Sequence, residues 1–497
     1  MIGFSSYFLF GVSTIFNIFL LIVGIIFFFR NIKLDKKIIY LILYLLILFS
    51  GLIISKSHDD FTLYHFQYFN ELVNLPIKIG IGNLDIRYSY SSMFVFIQTL
   101  YFFPYFEFNF FHIPPFLLFI SLVGYLFTSF ELKNKISVNF LKALVSVFLL
   151  LKFSRLSEFG YDFIGQFLLI LIFFKILDKK KKDIFIIIYL SIFAFAIKAN
   201  NLIFLFILLS LLNKENIFFI FNSFKKNYFI LFFSIFLFVS IFFNSLLNTG
   251  CFLYFFHQSC LGDYFVSWAL DPLDLKNFFY DVELWAKGYH KRITGLDLSP
   301  EIYFSNFNWV KNWMQIHFFY KISEFLIILF LLFILFVLFL IKIKNIFFIY
   351  NKNIFFIFFL SFVSLFFWFY KIPQFRFGFA YILIFCMTFF LLLYKLNKNL
   401  NKKQFFVVFF LALFIYNIFN IQRIIIHLKL HSSYKFETFP WINILPRTVS
   451  AEFFTKQGYK YYKPGKLGSS CFNVKTPCSE NNIEIENYKN YLIFKKI

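Results

Sequence analysis

Residues 38–69, IIYLILYLLILFSGLIISKSHDDFTLYHFQYF, pass from a continuous apolar run into a cluster of ionisable side chains. The run 38–54 approaches the roughly 20 apolar residues that cross a lipid bilayer as a helix. Charged groups are costly in hydrocarbon, so their place at the end of such a helix needs a reason. A helix cap, a metal site and a catalytic base all fit the residues that follow, which are His58, Asp59, Asp60 and His65.

The rest of the chain repeats the apolar pattern. Of its 497 residues 60% are hydrophobic, whereas about 45–50% is usual in soluble domains. We therefore expect an all-α polytopic integral membrane protein with about 12 transmembrane helices. The apolar runs that predict these helices lie at 7–29, 38–54, 111–130, 140–153, 163–177, 184–197, 201–212, 228–247, 321–341, 354–370, 377–394 and 404–420.

Basic residues divide the short loops into two alternating sets. Segments such as RNIKLDKK, DKKKKD and KLNKNLNKK hold most of the lysines and arginines of these short loops. The positive-inside rule places such segments in the cytoplasm. Both termini and the long loops 55–110 and 248–320 then face outward. We expect a transmembrane domain at 1–430 and a small outward C-terminal segment of short strands at 431–497. Within loop 55–110, the apolar stretch broken by Pro104 predicts a helix at the membrane interface.

Four polar clusters lie at the outward ends of predicted spans. At helical spacing, Asp60, Tyr64, Gln67 and Glu71 share one face of the segment after the second span. Because all four clusters share one membrane boundary, we expect them to converge on one cavity. The other three clusters contain Arg155, Glu158 and Asp162 after the fourth span, Lys198 after the sixth, and Lys371 and Arg376 before the eleventh.

Simpler roles exist for single members of these clusters. Asp59 or Asp60 is a suitable helix N-cap, Arg155 and Lys198 can snorkel to the interface, and Arg376 can bind lipid headgroups. His58, Asp59 and His65 are residue types that bind metals, but their spacing matches no metal motif, so no metal site is predicted.

Four of the five cysteines fall in the outward segments, in two close pairs. Cys251 lies near Cys260, and Cys471 lies near Cys478, so we expect local disulfides, although four cysteines allow three connectivities. Cys386 falls within a span and is expected to be a free thiol. Loop 248–320 also holds four of the six tryptophans, which suit either a sugar-binding face or the membrane interface.

Three short motifs resemble those of the GT-C glycosyltransferases, which include protein O-mannosyltransferases and lipid A aminoarabinose transferases. DDFTLY resembles their DE…Y pattern, SRLSEFGYD is similar to their second outer-loop signature, and PQFRFG is similar to their late Pro-x-x-Arg segment. More narrowly, the chain resembles a group of bacterial polytopic membrane proteins that share HDD…YH, a TGC…C loop and a closing C…PC. Here the acidic pair follows span two instead of span one, and its second member is Asp instead of Glu.

The resemblance implies inverting transfer of a sugar from a polyprenyl-phosphate donor to a glycan, lipid or protein on the outer face of the membrane. It implies a GT-C-like fold and a place in the inner (cytoplasmic) membrane, with the active site on the periplasmic side. Partners would be membrane lipids, the donor and a glycan or lipid acceptor, with no nucleic acid. No cofactor is expected, and a divalent metal remains open.

The resemblance also implies roles for residues. Asp59 would be the general base on the acceptor hydroxyl, with Asp60 the second choice. Arg155, Lys198 and Arg376 would contact the donor phosphate, and Glu158 and Asp162 would orient the acceptor or support the base. The remaining substrate-binding candidates, without an assigned role, are His58, Tyr64, His65 and Lys371.

Two other functions compete with this one. An envelope polysaccharide polymerase or ligase also has many spans and large outward loops, and would depend on Arg and His more than on an early Asp pair. A transporter would place ionisable residues midway through its spans and carry internal repeats. The polar clusters here lie at span ends, which disfavours transport.

Overall fold

The computed structural model describes most of the chain as helix. The described residues are 2–31, 36–54, 60–74, 76–90, 92–103, 105–129, 136–154, 156, 160–262, 264–291, 298–340, 352–393, 401–429, 449–456, 459–465 and 470–496. Its α-helices are α1 (Ile2–Phe10), α2 (Thr14–Asn31), α3 (Lys36–Ile53), α4 (Phe66–Val73), α5 (Met93–Thr99), α6 (Ile113–Thr128), α7 (Ile136–Lys152), α8 (Asp162–Asp178), α9 (Ile184–Ile197), α10 (Lys214–Ser223), α11 (Tyr228–Thr249), α12 (Pro272–Ala286), α13 (Pro300–Phe304), α14 (Trp309–Trp313), α15 (Ser323–Leu340), α16 (Lys352–Lys371), α17 (Phe375–Leu393) and α18 (Lys402–Lys429).

Tighter and wider helical turns join these elements. Two segments are π-helical, Phe61–His65 and Met314–Ile322. The 3₁₀ segments are Ile81–Asn83, Ile86–Tyr90, Glu107–His112, Lys181–Asp183, Ala199–Leu211, Phe224–Lys226, His257–Ser259, Tyr289–Lys291 and Ser305–Phe307.

Six helical stretches of the described chain are long and apolar enough to cross a membrane. A seventh is added if the bent pair Ala199–Leu211 and Lys214–Lys226, which meet at 96°, counts as one span. This supports the expected helical membrane protein at the level of fold class. The six stretches are Glu107–Thr128, Tyr228–Thr249, Trp309–Phe339, Lys352–Lys371, Phe375–Leu393 and Lys402–Ile426.

Two features differ from the sequence expectation, the end of the large loop and the surroundings of helix α5. The stretch Trp309–Phe339 is continuous, so the large loop that begins after α11 ends about a dozen residues earlier than the run 321–341 suggested. Helix α5 is buried inside the protein instead of lying at a membrane interface, with Met93, Phe94 and Phe96 almost fully enclosed. The apolar composition of α5 is therefore used for packing against α1 and α4.

Helices α7 and α8 form the centre of the bundle. Most of their side chains are buried, and α8 packs against α6, α9 and α17 while α7 packs against α15 and α18. A helix that is apolar on every face is expected in such a central position. The more exposed helices α11, α15 and α16 surround this centre and carry many exposed phenylalanines.

An ion pair in the bundle interior fixes the C-terminal end of α8. Lys142 Nζ donates to Asp178 Oδ1 at 2.6 Å, and both side chains are fully buried. Tyr125 donates its hydroxyl to the other carboxylate oxygen at 2.7 Å, and the Lys142 ammonium lies over the Tyr125 ring. The three groups come from α6, α7 and α8, so the contact joins three neighbouring helices.

The C-terminal strands build two small sheets. Strands β2 (Ala451–Lys456) and β3 (Tyr459–Pro464) form an antiparallel pair. Strands β4 (Ile483–Tyr488) and β5 (Tyr491–Lys496) are also antiparallel, and β5 pairs in parallel with β1 (Ile77–Ile79) from loop 55–110. Strands expected after residue 430 are present from Ala451 onward, and one of them, β5, also pairs with a strand of the earlier loop.

Gly80 allows three distant segments to meet at this sheet. Its φ of +70° lies in the left-handed region, which glycine adopts without strain. A Cβ atom here would lie 2.5 Å from the carbonyl oxygen of Phe494 and 2.8 Å from Cβ of Trp268. Its N–H donates to the carbonyl of Leu247 at 2.8 Å, which links the sheet to the end of α11.

Glu71 is the buried centre of the region where the tail meets loop 55–110. Its carboxylate accepts a hydrogen bond from Gln67 at 3.1 Å and from the backbone N–H of Cys478 at 2.9 Å. Lys78 Nζ lies 3.5 Å from the other carboxylate oxygen, and both side chains are inaccessible. Burial raises the pKa of Glu71 and lowers that of Lys78, because it disfavours both charged forms.

Both expected local disulfides are present in the structure. Cys251 is bonded to Cys260 directly after α11, and Cys471 is bonded to Cys478 between β3 and β4. Cys386 is a free, partly buried cysteine in α17. The second disulfide closes the loop that presents the Cys478 N–H to Glu71, so it supports the contact between the tail and loop 55–110.

We expect Glu71→Gln to lower the free energy of unfolding by about 3–5 kcal/mol, because it leaves the Lys78 ammonium buried without its counter-charge. The change should also loosen the tail, because the neutral amide oxygen of Gln accepts from the Cys478 N–H less strongly than the carboxylate does. Denaturant unfolding of the detergent-solubilised protein measures the first effect, and limited proteolysis of the tail measures the second.

Glu486→Gln is the matched control for this prediction. Glu486 pairs with Lys495 across β4 and β5, but its side chain is 46% exposed, and exposed pairs contribute about 0–1 kcal/mol. Equal stability losses in the two variants would contradict the central place of Glu71.

Candidate functional site

Four chain segments end at the same side of the bundle and bring ionisable side chains together. Asp60 precedes the π-helical turn Phe61–His65, Asp162 is the first residue of α8, and Lys198 follows the last residue of α9. Arg376 lies in the first turn of α17. Each of the four predicted polar clusters thus contributes one residue.

Arg376 and Lys198 bind the two carboxylates. Nη1 of Arg376 donates to Asp60 Oδ2 at 2.7 Å, and its Nε lies 3.4 Å from Asp162 Oδ2. Lys198 Nζ donates to the other oxygen of Asp162. We call Asp60, Asp162, Lys198 and Arg376 the four-residue network; with two acids and two bases, it is electrically neutral in itself.

The network is partly accessible. Side-chain exposure is 27% for Arg376, 20% for Asp60, 18% for Asp162 and 15% for Lys198. A ligand can therefore reach these groups, yet their contacts are shielded enough from water to be strong.

Asp162 is held in its ionised form. It lies just before the apolar run 163–177; burial raises its pKa, but the charges of Lys198 and Arg376 outweigh burial and lower the pKa to about 2. A carboxylate with so low a pKa is a weak proton acceptor at neutral pH. Asp162 is therefore suited to orienting the two cations, not to acting as a base.

Aromatic rings enclose the two cations of the network. Lys198 Nζ lies 3.6 Å from the ring centre of Phe377, and the Arg376 guanidinium lies 4.8 Å from the same ring. Trp285, from α12 of the large loop, covers Arg376 at 4.9 Å. Such cation–π contacts strengthen when water is excluded. The large loop thus forms one wall of the site.

Tyr64 and His65 form a second wall. Their ring centres are 4.2 Å apart, and His65 also meets the edge of Tyr161 at 5.9 Å. The positive charge of His65 helps to lower the pKa of Asp162, so the imidazole lies close to the network. Burial raises the pKa of Tyr64 and of Tyr161 well above the ordinary value, which keeps both hydroxyls protonated at neutral pH.

Gln166 aligns the helices that carry the network. Its side-chain oxygen accepts from the backbone N–H of Ala380 in α17, and its amide donates to Asn201, each at 3.1 Å. Asn201 fits because Gly165 has no side chain; a Cβ there would lie 2.2 Å from the Asn201 amide nitrogen. One α8 side chain therefore fixes both α17 and the turn after Lys198.

Two tryptophans hold the turn that precedes Arg376. Trp313 donates to the carbonyl of Pro373 at 2.6 Å, and Trp368 donates to that of Gln374 at 3.1 Å. Trp313 and Trp309 are almost completely buried in the core. Trp309 and Trp313 therefore have a structural role in the core instead of forming a sugar-binding surface.

Lys371 does not join the network. It lies at the end of α16, 3.8 Å from Glu283, and is 54% exposed. Glu283 binds Lys287 more closely, at 2.7 Å, and the Lys287 ammonium also faces the ring of Phe304 at 4.3 Å. The pairing of Glu283 with Lys371 attaches α12 to the end of α16. The ion pair of Lys371 is thus with Glu283 instead of with Asp60 or Asp162.

Four predicted site residues lie outside the described part of the chain. These are His58, Asp59, Arg155 and Glu158. Their segments adjoin the site, since 55–59 leads directly to Asp60 and 157–159 leads to Asp162. Among the described residues, no group of three or more His, Cys, Asp or Glu side chains is arranged to hold a metal ion.

Sequence reasoning missed two arginines near this end of the bundle. Arg87 binds Asp85 through Nε at 2.9 Å and lies over the Tyr64 ring at 5.4 Å. It also reaches the tail through Ser470 at 3.1 Å. Arg423, near the end of α18, donates to Ser154 at 2.8 Å. The signal in each case was a single arginine beside an apolar run, as in NLDIRYSY and NIQRII.

A double-mutant cycle of Asp162→Asn and Lys198→Met should give a coupling energy of about 1–3 kcal/mol, because the pair is partly buried and linked to Arg376. Denaturant unfolding of the four solubilised proteins measures it. The pair Lys152 and Glu324 is the matched control, since it also joins the ends of two helices but Glu324 is 59% exposed. There we expect less than about 1 kcal/mol; equal couplings would argue against a shielded network.

Comparison with known proteins places the chain in a family. Residues 2–383 match the model of a family described as a domain of unknown function (DUF8201). The matched region contains the whole four-residue network and ends before Arg423 and the C-terminal strands. Neither the curated proteins nor the solved structures include a match to the chain. Because the family model covers well over half of its length, the chain belongs to the DUF8201 family.

Proposed function

We propose that this protein is a membrane glycosyltransferase that moves a sugar from a polyprenyl-phosphate donor to a glycan, lipid or protein acceptor on the outer face of the cytoplasmic membrane. One observation carries the proposal. Acidic and basic side chains from four outward segments, Asp60, Asp162, Lys198 and Arg376, meet at one partly accessible place. Transfer from a lipid phosphate requires a base and cations close together at a membrane boundary.

The chemistry assigns different tasks to the two kinds of group. A carboxylate takes the proton of the acceptor hydroxyl while that oxygen attacks the anomeric carbon, and the bond from this carbon to the phosphate oxygen breaks. The polyprenyl phosphate leaves with the additional negative charge. Arg376 and Lys198 stabilise that charge by charge-assisted hydrogen bonds. No cofactor takes part in these steps.

The base comes from the acidic pair 59–60. The low pKa of Asp162 makes it a weak base, because it is bound by two cations. Asp60 is paired with Arg376 of the network. Asp59 adjoins it and remains the base that the GT-C resemblance implies. Trp285, Tyr64 and Tyr161 supply aromatic surface and hydroxyl groups for a sugar ring.

An apolar cavity supports a lipid-linked donor. It has a volume of about 460 Å³ and is lined by Ile97, Leu100, Ile186, Tyr189 and Phe233 among others. Helix α9 contributes Ile186 and Tyr189 to this cavity and leads directly to Lys198. A donor that lays part of its chain against α9 can thus direct its phosphate toward the network.

The proposal includes a GT-C-like arrangement of about twelve spans with both termini and the site outward. Helices α2, α3, α7, α8 and α9 add to the six or seven longer candidates if short or charged helices also cross the membrane. The network lies at the N-terminal end of α8, opposite to Asp178. The loops at that end of the bundle carry few lysines.

We expect Asp59→Asn or Asp60→Asn, made singly in the native host, to reduce transfer by about 10²–10⁴-fold through loss of the base. Arg376→Gln should also abolish it, through loss of phosphate stabilisation. Surface-glycan profiling measures the outcome, with expression checked in each strain. The deletion strain supplies the glycan profile that corresponds to complete loss of transfer.

Glu324→Gln serves as the control, because Glu324 is an exposed acid at a helix end outside the network. Wild-type glycans in both aspartate variants, against an altered profile in the deletion strain, would remove the base assignment. If Arg376→Gln and His65→Gln abolish the product while both aspartate variants keep it, the polymerase or ligase hypothesis would gain instead.

The orientation can be tested with single cysteines. We expect a membrane-impermeant maleimide to label Lys489→Cys in cells whose outer barrier has been opened but whose cytoplasmic membrane is intact. The reason is that the proposed topology places the tail outward. Lys181→Cys, in the basic loop after α8, should react only after the cytoplasmic membrane is permeabilised. Both lysines are exposed, so accessibility within the protein is matched. The reverse labelling pattern would invert the topology and move the network to the cytoplasm.

A further inference from the structure

Helix α18 carries a polar stripe that the four-residue network does not use. Tyr416, Asn417, Asn420 and Arg423 follow one another at helical spacing, so they share a face. Tyr416 donates to the carbonyl of Leu48 at 2.9 Å. Asn417 accepts from Ser50 at 2.9 Å. The stripe therefore faces α3 and leads along it toward Arg423.

Arg423 ends this stripe among neutral oxygens. Its Nη1 donates to Ser154 Oγ at 2.8 Å and to Asn420 Oδ1 at 3.1 Å. Within the described ranges no carboxylate forms an ion pair with it. Arg376, Lys198 and Lys152 differ, because each binds a carboxylate.

The position of Arg423 is at the same end of the bundle as the network. Ser154 follows α7 by two residues, and α8 begins at Asp162, so both lie at the connection between these helices. Ser154 and Asn420 are almost fully buried, whereas Ile421 and Ile425 beside Arg423 are exposed. The guanidinium thus lies between the buried polar side chains of Ser154 and Asn420 and the exposed apolar surface of α18.

A guanidinium has five N–H donors in a planar fork that matches a phosphate group. Within the described residues both hydrogen bonds of Arg423 use Nη1, which leaves Nε and Nη2 for a ligand. The side chain lies within a helix long enough to cross a membrane, where an uncompensated cation is costly. An anion at the membrane boundary removes that cost.

We propose that Arg423, held by Ser154 and Asn420, binds the phosphate of a membrane lipid at a second site, separate from the four-residue network. The ligand chemistry is a phosphate mono- or diester attached to a lipid chain. Two sources have this chemistry, a glycerophospholipid headgroup and a polyprenyl monophosphate. The inference does not require the proposed transfer reaction, because it depends only on the place of Arg423 and on its contacts within the described part of the chain.

Native mass spectrometry of the full-length protein in detergent tests the proposal. Three probes are titrated: phosphatidylglycerol, a polyprenyl monophosphate, and diacylglycerol, which lacks phosphate. We expect Arg423→Gln to weaken phosphate-lipid binding at least about tenfold, since charge-assisted hydrogen bonds are lost. Diacylglycerol binding should not change. Arg30→Gln, which removes an exposed arginine near the end of α2, is the matched control and should bind all three probes like the wild type.

The outcomes separate the sources. Weaker binding of both phosphate lipids identifies a general headgroup site, and weaker binding of the polyprenyl monophosphate alone identifies a carrier site; each supports the proposal. Unchanged affinity for both in a variant that melts like the wild type would overturn it, because the guanidinium would then be satisfied within the chain.

If Arg423→Gln does not fold, modification of the wild-type protein decides the question. Phenylglyoxal reacts with free guanidinium groups, and peptide mass spectrometry reports the reaction at each arginine. Phosphatidylglycerol should protect Arg423 several-fold more than diacylglycerol does, while Arg30 reacts equally with either lipid present. Equal reaction of Arg423 in both lipids would overturn the proposal.

Discussion

Helix α8 is fixed by a carboxylate at each of its ends, and the arrangement of the bundle follows from these two contacts. At one end Asp162 binds Lys198 and Arg376, which come from the end of α9 and the start of α17. At the other end Asp178 binds Lys142 of α7 and Tyr125 of α6. Apolar packing between helices tolerates sliding and rotation, whereas a buried charge tolerates little separation from its partner. Together the two aspartates define the height and rotation of α8 relative to four neighbours.

The same constraint distinguishes an enclosed end of the bundle from a partly accessible one. The Lys142–Asp178 pair is completely enclosed, so no ligand can replace either partner. The network around Arg376 is partly exposed and is bordered by Trp285 and Phe377. Its neutrality matters for any anionic ligand. A phosphate that approaches Arg376 must compete with Asp60 for the guanidinium. Protonation of this carboxylate weakens the competition. Acid–base chemistry and phosphate binding would therefore be linked at one place.

The sequence was informative wherever a single physical rule applies locally. Length of apolar runs predicted helices, and the cost of charge in hydrocarbon predicted that polar clusters of one boundary would meet, as Asp60, Asp162, Lys198 and Arg376 do. Close spacing of cysteines predicted both disulfides. Rules of spacing failed where helix geometry changes: the π-helical turn 61–65 alters the rotation of the chain, so Glu71 faces Lys78 and the tail while Asp60 faces Arg376. Arg87 was missed, because its contacts with Ser470 and Tyr64 join segments that are distant in the sequence.

Parallel pairing of β1 with β5 has a consequence for the order of assembly. Asn83 donates to the carbonyl of Phe494 across a separation of 411 residues, and Cys478 donates to Glu71 across 407. During synthesis the early loop is therefore made long before the strand that completes it. Until then β1 has an open edge, and Glu71 lacks the backbone donor that shares its buried position. Contacts so distant in sequence form slowly, because a long chain must close before they contribute. We therefore expect the region where the tail meets loop 55–110 to mature last, after the helices that lie between its two parts in the sequence have been made.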